Sequence, residues 1–220
     1  MAPAGLNVSE LCSSDTGWIM GRRSVHTAEQ LREVILDASM SILREQGLQG
    51  LSAREIARRI EYSPGTLYNV FENLDDIVLT IEGRMLDGLA DVLSLLPDET
   101  DPRLDIRNLA HAYLAYSHAH PKLWNLLFEH HLPAGQDVPA WYKAKLEALL
   151  GRVERAVRPM LPNATDDAIK RSARVLWAGV HGITSLSTAD KLANVTSDSA
   201  VPLIDDLVGL YLAGLQAQNT

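Results

Sequence analysis

The stretch from Leu51 to Phe71, LSAREIARRIEYSPGTLYNVF, constrains the fold more than any other part of the chain. It predicts two short helices joined by a tight turn. Ser52 and Glu55 have the spacing of a capping box, in which the hydroxyl and the carboxylate each bind an amide at a helix start. Ser63 and Pro64 predict the start of the second helix, because serine caps a helix well and proline has no N–H to lose there.

The second helix of this stretch carries apolar anchors on one side and polar side chains on the other. Leu67 and Phe71 are four residues apart and can face the interior together. Thr66, Tyr68 and Asn69 then remain exposed near the start of the helix. This pattern is typical of a helix-turn-helix, a motif that places its second helix in the major groove of DNA.

The run LSAREIARRIEYSPGTLYNVFENLDDI resembles the DNA-binding region of TetR-family (tetracycline-repressor-like) transcriptional regulators, and the resemblance extends over residues 27–81. Farther along, the run from Trp177 through His181 to Gly182 resembles the Trp-His-Gly (WHG) signature of one class of TetR C-terminal domain. The resemblance implies a homodimeric transcriptional repressor that binds double-stranded DNA at an inverted-repeat operator. It also implies release from that operator by a small-molecule effector.

The candidate DNA-binding residues follow from matching this chain to the family motif. They are Arg54, Ser63, Pro64, Gly65, Thr66, Tyr68, Asn69 and Val70. Hydroxyl groups suit phosphates, which position a protein on DNA, whereas arginine and asparagine can reach the base edges that specify sequence. Tyr68 could instead belong partly to the core.

Two positions depart from the family pattern. Glu61 stands in the turn where the family often has glycine, and a residue there can need a positive φ, which costs a non-glycine side chain free energy. Leu74 stands where the family often has a lysine that contacts a phosphate, and leucine cannot make that contact.

The net charge of −8 is unevenly distributed. Residues 22–71 hold seven arginines and six acidic residues, and most of the remaining acidic residues follow residue 71. Because the local field governs attraction to DNA, the net acidity does not exclude a DNA partner.

Residues 1–25 are rich in small and polar residues and predict a disordered arm. Arg22 and Arg23 could reach into a minor groove, or they could be solvated tail charges. The single cysteine, Cys12, excludes an internal disulfide and a cysteine zinc cluster. No secretory signal or uninterrupted apolar membrane span is recognised, so we expect a cytoplasmic protein with no membrane partner.

Helical signals continue on both sides of the motif. Thr27 and Gln30 predict a capping box that begins a first helix, and Gly47 predicts its end. Asn73 predicts the start of a helix that continues at i, i+4 spacing toward Pro97 and links the motif to the rest of the chain.

Five further helices are predicted from proline positions and polar stretches, over residues 102–119, 121–131, 140–160, 166–191 and 200–217. No run of alternating residues predicts a strand. The expected fold is therefore all-α, with an arm over 1–25, a helix-turn-helix DNA-binding domain over 26–72, and a helical ligand-binding and dimerisation domain over 73–220.

The last predicted helix is apolar around much of its circumference, which requires more than one packing partner. Together with the small-residue-rich helix before it, it could form half of an intersubunit four-helix bundle, or both could build the core of a monomer. The TetR resemblance favours a dimer. The candidate interface residues are Val180, Leu203, Leu207, Leu210, Tyr211 and Gly214.

Aromatic and polar-aromatic side chains concentrate in the C-terminal part of the chain. Apolar walls with a few polar tips suit a small-molecule cavity, although ordinary helix packing explains any one pair equally well. The candidate ligand-binding residues for an apolar or aromatic effector are Tyr113, Tyr116, His120, Trp124, Phe128, Trp177 and His181.

Other chemistry finds little support in the sequence. The pairs His118/His120 and His130/His131 do not share a helix face, so no metal site is predicted. No catalytic carboxylate pair, nucleophile motif or phosphate loop is recognised, and no enzyme activity or cofactor is expected. The alternative to a DNA-binding regulator is an all-α small-molecule carrier or enzyme in which the helix-turn-helix is a structural corner.

Overall fold

A computed structural model of the protein describes residues 26–97 and 99–217, and this part of the chain is helical, without strands. Its α-helices are α1 Ala28–Gln46, α2 Ala53–Arg59, α3 Pro64–Leu67, α4 Leu74–Ser94, α5 Pro102–Ala119, α6 Pro121–Glu129, α7 Ala140–Val157, α8 Asp166–Thr188 and α9 Ala200–Ala217. Short 3-10 turns follow α1, α7 and α8. The all-α prediction is confirmed. The predicted arm over 1–25, with Arg22, Arg23 and Cys12, lies outside the described residues.

Local capping sets the start and end of α1 as predicted. The Thr27 hydroxyl accepts from the Gln30 amide at 3.2 Å, and the Gln30 side-chain oxygen accepts from the Thr27 amide at 3.0 Å. Gly47 ends the helix with a φ of 72°, a conformation that glycine adopts without steric cost.

The capping box predicted at the start of α2 is only half correct. The Ser52 hydroxyl accepts from the Glu55 amide at 3.2 Å, as expected. The Glu55 carboxylate instead accepts from the guanidinium groups of Arg58 and Arg59, because charged donors compete successfully with a backbone amide. Ser63 makes no capping hydrogen bond to a backbone amide at the start of α3.

Glu61, in the turn between α2 and α3, adopts a φ of 60°, which confirms the strain expected where the family often has glycine. Glu61→Gly is expected to raise the free energy of unfolding by about 0.5–1 kcal/mol, because glycine adopts this conformation without a Cβ clash. Urea unfolding measures the change. Glu61→Ala is the matched control, since it removes the charge and retains the Cβ; an equal gain from alanine would contradict the argument from strain.

Two large cores meet along α4. The N-terminal core is formed by buried residues of α1 to α4, and α6 adds Leu123 and Leu126 to it. The C-terminal core joins the far half of α4 to α5, α6, α7, α8 and α9. The division between domains at residues 72 and 73 stays a prediction, because α4 and α6 contribute to both cores.

The last helix, α9, corrects one expectation from the sequence. Within the described residues it is long and apolar enough to cross a membrane by length and composition alone, whereas no such segment was expected. It packs against α5 and α8, as a core helix of a globular protein does. Five of its 18 residues are buried in the monomer, so much of its apolar surface is left without a partner.

Candidate DNA-binding surface and ligand cavity

The α2–α3 unit presents a polar surface over an apolar base. Leu67 is fully buried and Phe71 nearly so. Tyr68 is 49% exposed and Asn69 is exposed as well. Backbone amides of residues 69–71 bond to the carbonyls of Thr66 and Leu67, which continues the helical path of α3 to Phe71. The exposed position of Tyr68 disagrees with the alternative that it belongs to the core.

The three arginines of α2 differ in whether they form ion pairs within the protein. Arg58 and Arg59 both bind Glu55, and Arg59 also reaches Glu45 at 2.6 Å. These guanidinium groups lower the pKa values of Glu45 and Glu55 to about 2. Arg54 is exposed and has no ion-pair partner among the described residues. It is therefore the α2 arginine whose guanidinium is available to DNA.

Arg32 of α1 fixes the end of the recognition segment, which is α3 with its continuation over residues 64–71, and the sequence did not reveal this role. Its guanidinium donates to the Val70 carbonyl at 3.0 Å and to the Thr80 hydroxyl at 3.2 Å. It also stacks 4.2 Å from the centroid of the Phe71 ring. The recognition segment is thus held to α1 and α4 by one side chain.

The other predicted DNA-binding positions surround this surface. Ser63, Pro64 and Gly65 are exposed, and Thr66 and Val70 are partly exposed. Leu74 is partly buried and packs against the N-terminal core. The leucine at position 74 therefore has a packing role in place of the phosphate contact that it cannot make.

A cavity of about 840 Å³ lies in the C-terminal part of the molecule. Helices α4, α5, α6, α7 and α8 and the loop between α6 and α7 enclose it. Its lining residues are Leu79, Glu82, Leu86, Leu89, Leu93, Tyr113, Trp124, Leu127, Phe128, His130, His131, Leu132, Gln136, Asp137, Val138, Tyr142, Leu146, Leu149, Leu150, Val153, Arg174 and Trp177. Its size and largely apolar walls suit a small organic molecule.

Four of the seven predicted ligand-binding residues line this cavity: Tyr113, Trp124, Phe128 and Trp177. His181 does not line the cavity but stacks on Trp177, and the angle between the two ring planes is 9°. Its Nδ1 is 3.1 Å from the Tyr113 hydroxyl. Burial lowers the pKa of His181 and raises that of Tyr113, so both groups are uncharged at neutral pH.

The other two predicted ligand-binding residues, Tyr116 and His120, do not line the cavity. The Tyr116 hydroxyl donates to the Met85 carbonyl at 2.9 Å, so this side chain packs α5 against α4. A Cβ on Gly88 would lie 2.6 Å from the same hydroxyl, which explains the glycine at this close approach. His120 ends α5 and packs on the Tyr116 ring. Of the predicted α5 residues, Tyr113 therefore lines the cavity, whereas Tyr116 faces α4.

A buried polar group in the cavity wall was not predicted. His130 Nδ1 lies 3.0 Å from Glu82 Oε1, and His130 Nε2 lies 3.0 Å from Asp75 Oδ1. Hydrogen bonding to Glu82 raises the pKa of His130, Asp75 adds to this effect, and burial opposes it. The sequence feature that could have indicated this group is Glu82 itself, an acidic residue in the apolar stripe of α4 between Leu79 and Leu86.

The outer faces of α8 and α9 expose several apolar side chains on the monomer. On α9, Leu210 is 76% exposed, Gly214 is exposed, and Leu203, Leu207 and Tyr211 are partly buried. Gly179 of α8 allows close packing of the two helices, since a Cβ there would lie 2.8 Å from Leu207. Val180 is only 5% exposed and belongs to the C-terminal core, so its prediction as an interface residue is wrong.

No metal site emerges within residues 26–97 and 99–217, where no group of three or more histidine, cysteine or acidic side chains could hold an ion. The adjacent histidines diverge: His130 points inward to Glu82 and Asp75, whereas His131 is exposed.

Family models match both parts of the chain. The model for bacterial regulatory proteins of the TetR family matches residues 35–81, which include α2, α3 and the start of α4. A model for a tetracyclin repressor-like C-terminal domain matches residues 106–210, which include the run from Trp177 to Gly182.

Individual proteins are also similar to this chain. An uncharacterised HTH-type transcriptional regulator of Mycobacterium tuberculosis, Rv0681, is 21% identical over 194 residues, covering 88% of this chain and 85% of that protein. A Rhodococcus sp. RHA1 protein of unknown function superposes with a TM-score of 0.70 at 22% identity, covering 89% of this chain and 99% of that one.

Two other similar structures contain bound molecules. BioQ in complex with its double-stranded DNA operator has a TM-score of 0.59 at 20% identity, covering 84% of this chain and 98% of that one. Thermus thermophilus FadR with lauroyl-CoA has a TM-score of 0.61 at 23% identity, covering 83% and 94%. These structural similarities show the shared fold. Together with the family models and the helix-turn-helix, they assign the chain to the TetR family of DNA-binding transcriptional regulators, which are not enzymes.

Proposed function

We propose that the protein is a cytoplasmic, dimeric repressor that binds an inverted-repeat operator and is released by a small apolar or aromatic effector. The observation that carries this proposal is that the same two helices, α4 and α6, line the cavity and build the core of the DNA-binding part. A molecule in the cavity therefore contacts the elements that hold the recognition segment.

The two helices divide their side chains between these roles. From α4, Leu79 and Leu86 face the cavity, whereas Ile77 and Ile81 belong to the N-terminal core. From α6, residues 124, 127 and 128 line the cavity, whereas residues 123 and 126 belong to the N-terminal core. An effector that prefers one spacing of α4 and α6 would shift the population of DNA-binding conformations.

Two further contacts connect the DNA-binding part to this region. The Lys122 ammonium of α6 donates to the carbonyl of Glu45 near the end of α1, at 2.8 Å. Arg84 of α4 binds Glu33 of α1 at 2.6 Å. The sequence had indicated α4 as the mechanical link, and the packing of α6 on α1 adds a second connection.

The proposed DNA contacts divide into two kinds. Thr66 and Tyr68 carry hydroxyl groups suited to phosphates, which position the recognition segment in the major groove. Arg54 and Asn69 are exposed and can reach base edges, which specify the operator sequence. The binding of BioQ to its operator supports a DNA partner, and the binding of lauroyl-CoA by FadR supports a small-molecule partner.

The proposed dimer would pair α8 and α9 with the same helices of a second copy. The exposed positions of α8 on this surface include Val175, Ala178 and Gly182, which are apolar or small, and Arg171 lies one turn before Val175. The space above Gly182 and Gly214 is open in the monomer, which permits close approach of another helix. A two-fold dimer would present two recognition segments to the two half-sites of an inverted repeat.

The experiment that tests this function selects duplexes from a random DNA pool with the full-length protein. We expect enrichment of an inverted repeat with half-site centres about one helical turn apart or somewhat more. Binding should weaken steeply as salt rises, because phosphate contacts release counterions. A lack of enrichment, with the protein folded, would contradict the proposal and favour a small-molecule-binding protein in which the helix-turn-helix is a structural corner.

Effector release is tested on the selected DNA. A ligand found by thermal shift is titrated with and without operator, and we expect each partner to weaken binding of the other by the same factor. Equal ligand affinity in the two titrations would contradict effector release and leave a constitutive DNA-binding protein.

A further inference from the structure

Glu82 is a buried carboxylate in a wall made mainly of apolar side chains. It is 3% exposed and lies on α4 between the cavity-lining residues Leu79 and Leu86. His130 is its hydrogen-bond partner at 3.0 Å, and the Tyr142 hydroxyl also interacts with it. Burying a carboxylate costs free energy unless it is well paired, and a leucine would satisfy packing alone.

The charges around Glu82 do not balance. His130 is shared between Glu82 and Asp75, so one negative charge remains even when the imidazole is protonated. Arg174, the only arginine or lysine among the described lining residues, binds Glu154 at 2.8 Å and Glu147 at 3.0 Å. The cluster of His130 with Glu82 and Asp75 and the cluster of Arg174 with two glutamates therefore each carry more negative than positive charge.

The rest of the cavity suits an apolar body attached to a cation. Trp124, Phe128 and Trp177 present aromatic rings to the cavity, and the electron-rich faces of such rings attract positive charge. The leucines of α4 and α7 provide apolar wall for a hydrocarbon group. A ligand with an ionised carboxylate would be repelled by the unbalanced negative charge of Glu82, because the site has a low dielectric constant.

We propose that the effector is an apolar molecule with one amine-type positive charge, and that Glu82 binds this charge. The inference rests on the proposed function, because it names the class of molecule that the effector cavity accepts. The ammonium group competes with His130 for Glu82. Since His130 also holds Asp75 in the first turn of α4, weakening this bridge gives the ligand a route to the DNA-binding part.

The test compares 1-decylamine, 1-decanol and decanoate by isothermal titration calorimetry with the full-length protein at pH 7, below micelle-forming concentrations. The three probes share a hydrocarbon chain and differ in charge. We expect decylamine to bind at least about tenfold more tightly than decanol, because a charge-assisted hydrogen bond to a buried group is strong, and decanoate to bind most weakly.

Glu82→Gln is the variant that links this preference to one residue. Glutamine has nearly the same shape, and we expect it to remove the advantage of decylamine over decanol while decanol binding is kept. Asp91→Asn is the matched control, because Asp91 is an exposed acid on the same helix and does not line the cavity. Thermal melts confirm that both variants are folded.

Several results would overturn the proposal: binding by none of the three probes, decanoate binding as tightly as decylamine, or a preference for decylamine that survives in Glu82→Gln. Titration of operator DNA with and without decylamine distinguishes failure of the cation proposal from failure of the proposed function. If decylamine binds through Glu82 but leaves DNA affinity unchanged, recognition of the cation is supported and effector release fails. Asp75→Asn should keep the amine preference and reduce the effect of decylamine on DNA affinity.

Discussion

Leu210→Glu is expected to convert the protein from a dimer to a folded monomer and to weaken operator binding about a hundredfold or more. Leu210 is 76% exposed, so a charge at this position is solvated in the monomer. In the proposed dimer the same charge would be buried between apolar helices, at a cost that prevents association. Sedimentation gives the oligomeric state, and fluorescence anisotropy gives the affinity for operator.

The structure provides a matched control for this substitution. Leu95 follows α4 and is 85% exposed, so Leu95→Glu introduces the same charge away from α8 and α9. It should leave both the dimer and operator affinity unchanged. Leu207 is less suitable for the test, because it packs against Gly179 within the monomer. A dimeric Leu210→Glu protein, or a wild-type monomer at micromolar concentration, would reject the interface.

Arg54→Ala is expected to weaken binding about tenfold to a hundredfold for each half-site of a selected operator. The exposed guanidinium of Arg54 has no ion-pair partner among the described residues, so its removal leaves the α2–α3 unit intact. If Arg54 reads a base edge, the loss should be concentrated at one base pair of each half-site. Anisotropy titrations against operators with single base-pair substitutions measure this.

Arg58→Ala is the matched control, since it removes the same charge four residues away on α2. Its guanidinium is held by Glu55 at 2.7 Å, so we expect a smaller loss of affinity than from Arg54→Ala. Tyr68→Phe should weaken binding to all sequences alike, because a phosphate contact carries no base preference. If Arg54→Ala and Tyr68→Phe both leave affinity unchanged, the assignment of the recognition surface is wrong.

In the proposed dimer α9 packs on two sides, and this accounts for its membrane-length apolar character. One side contributes Ile204, Val208 and Leu212 to the C-terminal core. The other side carries Leu210 and is left open. A helix that must meet both its own core and a second copy becomes apolar around most of its circumference, which length and hydropathy alone do not distinguish from a membrane span.

The sequence by itself determined the features that depend on neighbouring residues. The capping of α1 by Thr27, the start of α3 at Pro64 and the positive φ of Glu61 all follow from contacts within a few residues. The boundaries of α5 were predicted correctly for the same reason, and those of α9 also agree with the prediction. Capping and turn geometry are local, so a single stretch of sequence contains the information that sets them.

Only the tertiary structure decided which side chains meet across the chain. His130 binds residues 48 and 55 positions away, and no spacing in the sequence indicates those pairs. The same holds for Tyr116, which faces α4 instead of the cavity, and for Val180, which is buried in the monomer. Helical periodicity defines a face but not its partner, because the partner is fixed by how whole helices pack.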